Sequence, residues 1–258
     1  MTKYLVMSDI HQDDRGLATL LKNAREYDEI WCLGDVVGHE DYVEHKYPGY
    51  KGNAQICYEM LRHWNAQCII GNWEGWLLQA EKDNDTLAHQ HKYIHELQQA
   101  RSVLLENGIT EWIRTTWHLS LAFDVFTLVH GSIDNDGDKS TEMWETYIRP
   151  KDIDLVNRIF LYEKLNAPHM LYGHTHIPGY FTYNGQNMPE WQSIKKSDLL
   201  QKFEYNIYDH ALHFVINPGS LNLNRNQRDS DFCSDPTGTV LEIDTKEQIF
   251  RYLPIFTE

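Results

Sequence analysis

An α/β fold is predicted by three features of this sequence. Short apolar runs alternate with helical patterns through the first third, a helix-forming stretch without strand signals follows, and strands return after it. The opening alternation is the order that builds a parallel sheet through crossover helices. At 258 residues the chain can bury a full core without disulfides. No linker, repeat or low-complexity tract divides it, so a single domain over 1–258 is expected.

Residues 3–8 read as the first strand. Leu17, Leu20, Leu21 and Ala24 stand at i, i+3, i+4 and i+7, which predicts a helix from about Arg15 to Tyr27 with one buried stripe. Residues 29–33 form the second strand, Ala54, Cys57, Leu61 and Trp64 mark a second helix, and residues 67–70 a third strand. Between about 75 and 117 the strand signal is absent. The part from Thr86 to Glu106 contains neither Gly nor Pro and reads as a helical insertion. Strands are expected again at 119–123, 125–129, 170–172, 180–183, 214–217, 239–243 and 249–253, with Asn184-Gly185 as a hairpin turn. The polar segment 186–210 reads as a second surface insertion.

Lys and Arg number 23 against 38 Asp and Glu, a balance of -15 that repels phosphate backbones and argues against nonspecific binding to nucleic acid or anionic membranes. An anionic substrate must therefore meet locally placed positive charge, which bound metal ions supply. Cys32, Cys57, Cys68 and Cys233 show no C-x-x-C spacing and are expected as buried free thiols. The apolar run at 4–7 is too short for a signal peptide or a membrane span, so a soluble, cytoplasmic protein is expected.

The residues that carry chemistry stand where predicted strands end, which is where ligands bind in open α/β sheets. They are Asp9-Ile10-His11, Gly34-Asp35-Val36-Val37-Gly38, Gly71-Asn72-Trp73-Glu74, His130-Gly131-Ser132 and Gly173-His174-Thr175-His176. Alternation along an extended segment puts Asp9 and His11 on one side, and likewise His174 and His176, so each pair could grip an ion. Carboxylate, imidazole and amide oxygen without thiolate suit Mn, Fe, Zn or Ni. Gly34, Gly71, Gly131 and Gly173 are expected to let the backbone turn and approach a bound oxyanion. Taken singly each motif is weak; five in this order, each after a strand, are hard to obtain by chance.

These five blocks resemble the calcineurin-like metallophosphoesterase superfamily, and more narrowly its bacterial phosphodiesterase branch. That branch shares G-D-x-x-G, here residues 34–38, and N-P-G-S with an arginine eight residues after its Asn, here Asn217-Pro218-Gly219-Ser220 and Arg225. The resemblance implies a four-layer α-β-β-α sandwich of two mixed sheets flanked by helices. It implies one metal on Asp9, His11, Asp35 and His176 and a second on Asp35, Asn72, His130 and His174, with Asp35 bridging. Mn and Fe are the favoured ions, with Zn or Ni as alternatives, because cellular availability decides against raw affinity order. Such ions, about 3.5–4 Å apart, share a water and lower its pKa, so a bridging hydroxide attacks phosphorus without a side-chain nucleophile. The expected activity is hydrolysis of a phosphodiester or a nucleotide phosphoanhydride, with a small phosphorylated substrate such as a dinucleoside polyphosphate. The alternatives are a phosphomonoesterase, including a protein phosphatase, and a non-catalytic metal-site scaffold for a protein partner.

One departure from the family pattern matters. Many members have a histidine directly after the motif Asn, where this chain has Trp73. Trp73 either stacks on an aromatic base of the substrate or packs under the helical insertion. His39 is the candidate replacement proton donor, against the reading of an exposed loop histidine. Arg225 is expected to bind phosphoryl oxygens, or else to pair with Asp229 or Asp231. His91 and His95, at i and i+4 with His89 nearby, read as a solvated helix face. Asp134, Asp136, Asp138 and Glu145 lack the glycine that a calcium loop needs, since Lys139 fills its place, and they read as a loop at the rim of the site.

Overall fold

The computed structural model describes residues 2–80, 94–134, 143–161, 165, 167–201, 203–204, 211–222 and 238–255. Its strands are β1 (Lys3–Met7), β2 (Glu29–Cys32), β3 (Gln67–Cys68), β4 (Ser120–Phe123), β5 (Phe126–Val129), β6 (His169–Leu171), β7 (Gly179–Tyr183), β8 (Glu190–Ser193), β9 (Phe203–Glu204), β10 (His213–Asn217), β11 (Gly238–Asp244) and β12 (Ile249–Ile255). The helices are α1 (Asp14–Leu21), α2 (Glu40–Lys46), α3 (Ala54–His63), α4 (Asn72–Ala80), α5 (Ile94–Glu106), α6 (Ile109–Thr116) and α7 (Ile153–Leu161).

Two six-stranded mixed sheets form, in the orders β3-β2-β1-β11-β12-β9 and β4-β5-β6-β10-β7-β8. Parallel pairing joins β1 to β2 and β2 to β3 in the first sheet, and β5 to β6 and β6 to β10 in the second. Successive strand residues face opposite sides, and the core divides accordingly. Tyr4, Val6, Trp31 and Leu241 pack against Phe126, Leu171 and Phe214 of the other sheet. Leu5, Met7, Ile30 and Cys32 face a layer that includes Leu17, Leu61, Leu97 and Ile113 of α1, α3, α5 and α6. The outer face of the second sheet packs Met170 and Val215 on Leu155, Val156 and Ile159 of α7. The result is the four-layer α-β-β-α sandwich, and β1 reads as a continuous apolar run because both its faces are covered.

Several local expectations change. Asp13 caps α1 by accepting from Gly16 N–H, but the helix ends at Leu21 and gives way to a 3-10 turn at Ala24–Glu26 that keeps Ala24 buried. The polar segment 186–210 supplies an edge strand to each sheet: β8 pairs with β7 and β9 with β12. Part of this expected surface insertion is therefore sheet, and its polarity reflects a strand with most side chains in solvent, as in β8. Asn184 does open the β7–β8 hairpin, its Oδ1 accepting from the backbone of Gln186 and Asn187. Two helices lie outside the expected set, the short polar α2 and the amphipathic α7. The 75–117 region is helical where described, in α4, α5 and α6.

The sheets are also tied by a hydrogen bond. The buried Tyr252 hydroxyl on β12 lies 2.8 Å from Gly179 O and 3.0 Å from Asn217 O of the opposite sheet and donates between them. Tyr252→Phe is expected to lower unfolding free energy by about 1–2 kcal/mol, since it strands buried carbonyls while keeping the ring. Urea denaturation reads this as a lower midpoint with an unchanged slope.

Candidate metal centre

Two groups of buried side chains converge beyond the strand ends: Asp9, His11 and His176, and Asp35, His130 and His174, with the potential ligand atoms of each group within 4.8 Å of one another. Asn72, the first residue of α4, places Oδ1 3.1 Å from His130 Nε2. All seven sequence-predicted ligands therefore meet in one buried region. Asp35 falls within the second group.

The local geometry differs from extended alternation. Asp9, His11, Asp35, His174 and His176 all have positive φ, between 46° and 67°, as does His39. A left-handed non-glycine residue costs about 1–3 kcal/mol and persists only where its surroundings over-determine it. Here the loops continue the ladder past the strands: Asp9 N–H donates to Gly34 O, His11 N–H to Asp35 O and Gly173 N–H to His130 O. The side chains converge because the backbone turns sharply at each ligand. The motif glycines make room for neighbouring loops rather than for an anion. A Cβ at Gly71 would collide with Asp35 Oδ1, and one at Gly173 with Ser8 Oγ.

Each carboxylate commits one oxygen to the backbone. Asp9 Oδ2 accepts from His174 N–H at 3.0 Å, and Asp35 Oδ1 from Trp73 N–H at 3.0 Å. The other oxygens face imidazole, Asp9 Oδ1 at 3.2 Å from His176 Nε2 and Asp35 Oδ2 at 3.3 Å from His130 Nε2. The imidazoles are oriented from behind. His11 Nδ1 donates to Val37 O, His130 Nδ1 to Leu33 O, and the His174 ring to the Glu145 carbonyl. A carbonyl cannot donate, so these bonds turn the Nε2 atoms toward the centre, the orientation that outer partners impose on metal-binding histidines.

That orientation leaves more acceptors than protons. Asp9 Oδ1 and His174 Nε2 are buried without a hydrogen-bond partner, and His11 Nε2 lies 3.1 Å from His176 Nε2. Unpaired buried acceptors are costly, and a cation satisfies them all; nitrogen and oxygen donors without thiolate fit first-row divalent ions. Titration follows the same logic. Burial and the neighbouring histidines hold His11 and His174 well below the ordinary imidazole range. Burial works against protonation of His130 too, but the Asp35 carboxylate outweighs it and raises His130 to about 9. Burial opposes ionisation of Asp9, yet His176, His130 and His11 hold its carboxyl well below the usual range.

Residues outside the predicted set hold the ligands in place. The buried Glu74 carboxylate accepts from the backbone N–H of Asp35, Val36 and Gly71 and from the Tyr58 hydroxyl. Burial and the Asp35 charge push its pKa up to about 7. Asn217 donates to Gly173 O and Thr175 Oγ1, and Ser220 donates to Asp9 O, so the N-P-G-S element fastens two ligand loops. The Glu two residues after Asn72 was legible as part of a motif; its role as a backbone clamp needed the fold.

His39 stands beside this centre, its ring centroid 4.6 Å from that of His11, stacked on Tyr42 and 12 % exposed. Trp73 is 1 % exposed; its ring lies against Gly38, where any Cβ would run into it, and among His39 and Trp76. This placement supports the packing role, because a ring so covered presents no face to a substrate. Arg225, Asp229, Asp231, Asp136, Asp138, His89 and His91 lie outside the described residues. Asp134 faces Arg158, and the Glu145 carboxylate accepts from Trp76 Nε1, so neither points to a shared calcium loop.

Residues 2–245 match the calcineurin-like phosphoesterase superfamily domain. Over 222 residues the chain is 27 % identical to an uncharacterized protein of Methanocaldococcus jannaschii, a match covering 84 % of this chain and 74 % of that protein. Its fold is similar to the crystal structure of a metallophosphoesterase from Sphaerobacter thermophilus, with a TM-score of 0.67 at 19 % identity over 99 % of this chain and 89 % of that one. It is also similar to a hypothetical protein from Pyrococcus horikoshii OT3, with a TM-score of 0.62 at 14 % identity over 100 % and 89 % of the two chains. Among the described residues no helix is long and apolar enough to cross a membrane. A domain match that runs from the first strand to the eleventh makes the assignment plain: this chain belongs to the calcineurin-like phosphoesterase superfamily.

Proposed function

We propose that this chain hydrolyses phosphodiesters or nucleotide phosphoanhydrides at a two-metal site, with Asp35 as the shared ligand. The observation that carries the reading is the pair of buried ligand groups whose Nε2 and carboxylate atoms face each other without enough protons. Asp9, His11 and His176 would hold one ion and Asn72, His130 and His174 the other, with Mn or Fe favoured on availability. When bound, such ions supply a water of lowered pKa and positive charge against phosphoryl oxygens.

The chain's own groups do the rest. Glu74 fixes Asp35 through the backbone on both sides of it, and Asn217 and Ser220 do the same for the His174 and Asp9 loops. His39, whose ring lies beside that of His11, would protonate a leaving group on that side. Trp73 cannot do so, because indole N–H is a hydrogen-bond donor and not an acid near neutral pH. With one weakly placed proton donor, the site favours leaving groups that depart as stable anions, such as aryl oxides and nucleotide phosphates. Alkoxides from simple monoesters need a proton in the transition state.

Metal-dependent turnover of bis-p-nitrophenyl phosphate tests the reading. A chelator should abolish it and Mn should restore it; a protein that binds two ions and turns over no phosphoester is a scaffold. Asp35→Asn should lower kcat/KM more than His11→Ala or His176→Ala does, by more than about a hundredfold, with metal content falling too. Near-normal turnover with two ions bound would remove Asp35 from the centre.

Glu74→Gln is expected to reduce metal affinity or kcat by about ten- to a hundredfold, because the amide offers one acceptor oxygen where the carboxylate serves four donors. Metal titration alongside kinetics checks this, and unchanged affinity and rate would reduce Glu74 to a packing residue.

Metal-saturated native protein should prefer aryl diesters or dinucleoside polyphosphates to glycerol phosphate or phosphoserine. His39→Ala should lower kcat about a hundredfold for poor leaving groups and far less for p-nitrophenolate, in keeping with general acid catalysis. A preference for alkyl monoesters that survives in His39→Ala would move the assignment to a phosphomonoesterase.

A further inference from the structure

On the side of the centre opposite His39, an aromatic stack leads from a ligand histidine to solvent. The Tyr147 ring lies 3.8 Å from the His174 ring, centroid to centroid, and the Arg149 guanidinium stands 4.6 Å over the outer part of the stack, on Tyr147. Tyr147 is 40 % exposed, Ile148 between them is fully buried, and Arg149 is half-buried. Alternation about the buried Ile148 thus sends both side chains to the surface next to the metal centre.

The segment is firmly held. Trp76 of α4 donates to the Glu145 side chain, the Trp144 ring lies against Gly75, and Arg149 N–H donates to Asp152 Oδ2 at 2.8 Å. That last bond uses the arginine's backbone, not its side chain. Lys46, Arg158 and Arg251 each face a carboxylate, whereas among the described residues the Arg149 guanidinium forms no ion pair. In a chain with a balance of -15, an arginine that pairs with no described carboxylate, next to a centre that would hold metal ions, can meet an anion from outside. A guanidinium stacked on an aromatic ring keeps its planar fork of donors available, the arrangement that suits phosphoryl oxygens.

We propose that Arg149, carried on Tyr147, binds a non-reacting phosphate of the substrate, which makes phosphoanhydrides and other substrates with a second anionic phosphate the preferred class. This rests on the phosphohydrolase reading above and selects within it. A simple diester brings a single negative charge, which the metal centre meets; a pyrophosphate diester brings a second, which needs a partner at the rim.

The test compares native protein, Arg149→Met and Arg149→Lys on bis-p-nitrophenyl phosphate and on a dinucleoside pyrophosphate, with excess Mn. Methionine keeps an unbranched apolar stem over Tyr147 without the charge. Arg149→Met should raise KM for the pyrophosphate about ten- to a hundredfold, the range for a charge-assisted hydrogen bond, and change bis-p-nitrophenyl phosphate kinetics less than about threefold. Arg149→Lys should fall between native and Arg149→Met. Equal losses on both substrates would make Arg149 a brace for Tyr147 and His174, and no loss on either would leave it without a role; each overturns the proposal. Calorimetric binding of the dinucleoside pyrophosphate to metal-free protein separates this from failure of the phosphohydrolase reading. If native protein turns over neither substrate, binding at least about tenfold weaker in Arg149→Met still upholds the anion site, and equal binding overturns it.

Discussion

The constraint on which this molecule turns is an excess of buried hydrogen-bond acceptors over protons. Two carboxylates, an amide oxygen and four imidazoles are brought into one region from which water is largely excluded, and most of the imidazole protons are engaged behind them by backbone carbonyls. Left alone, that arrangement is costly, because buried acceptors go unpaired, and the Asp35 carboxylate outweighs burial to raise the pKa of His130. Positive charge must enter the centre in some form. A family that works through metal ions has the same requirement built into its chemistry.

Everything nearby serves to keep those acceptors facing each other. Five ligands occupy left-handed backbone conformations that their own side chains disfavour. The compensation is spread over many weak bonds: loop-to-loop backbone pairs, the Glu74 clamp, and the Asn217 and Ser220 bridges. The centre is therefore a property of two sheets at once. Asp9, Asp35 and Asn72 follow strands of the first sheet, while His130, His174 and Asn217 belong to the second.

That these candidate ligands would gather in one place was legible because their chemistry restricts residue type: only a few side chains can donate to a metal, and they recur after strands in a fixed order. The way they converge was not. Reading Asp9 and His11 as alternating along a strand gives the right pairing for the wrong reason, since both have positive φ beyond the end of β1. The succession of strands and helices along the chain and the helical character of the middle region followed from periodicity and composition, the two-sheet sandwich followed from the family resemblance, and the strand order within each sheet was not legible. The edge strands β8 and β9 did not, because an exposed strand with polar side chains has little to distinguish it from a loop. Tyr147 and Arg149 carry no motif at all; their interest comes from a stacking geometry that spacing in sequence does not encode.

The pairing of β1 with β11 sets a condition on how the molecule comes into being. Lys3 lies opposite Asp244 and Val6 opposite Leu241, so β1 must wait for β11, far later in the chain, to complete its ladder. Until then an apolar strand, intended for burial on both faces, keeps one open edge, and such edges template association with other chains. Closing so long a loop is slow by topology alone, and chains of this length fold through intermediates that expose apolar surface. The centre inherits that timing: Ser220, which fastens Asp9, is also synthesised late. A nascent chain halted before residue 220 would contain all seven candidate ligands without the Ser220 bridge that holds the Asp9 loop, so slower synthesis at lower temperature should favour recovery of soluble protein over faster production.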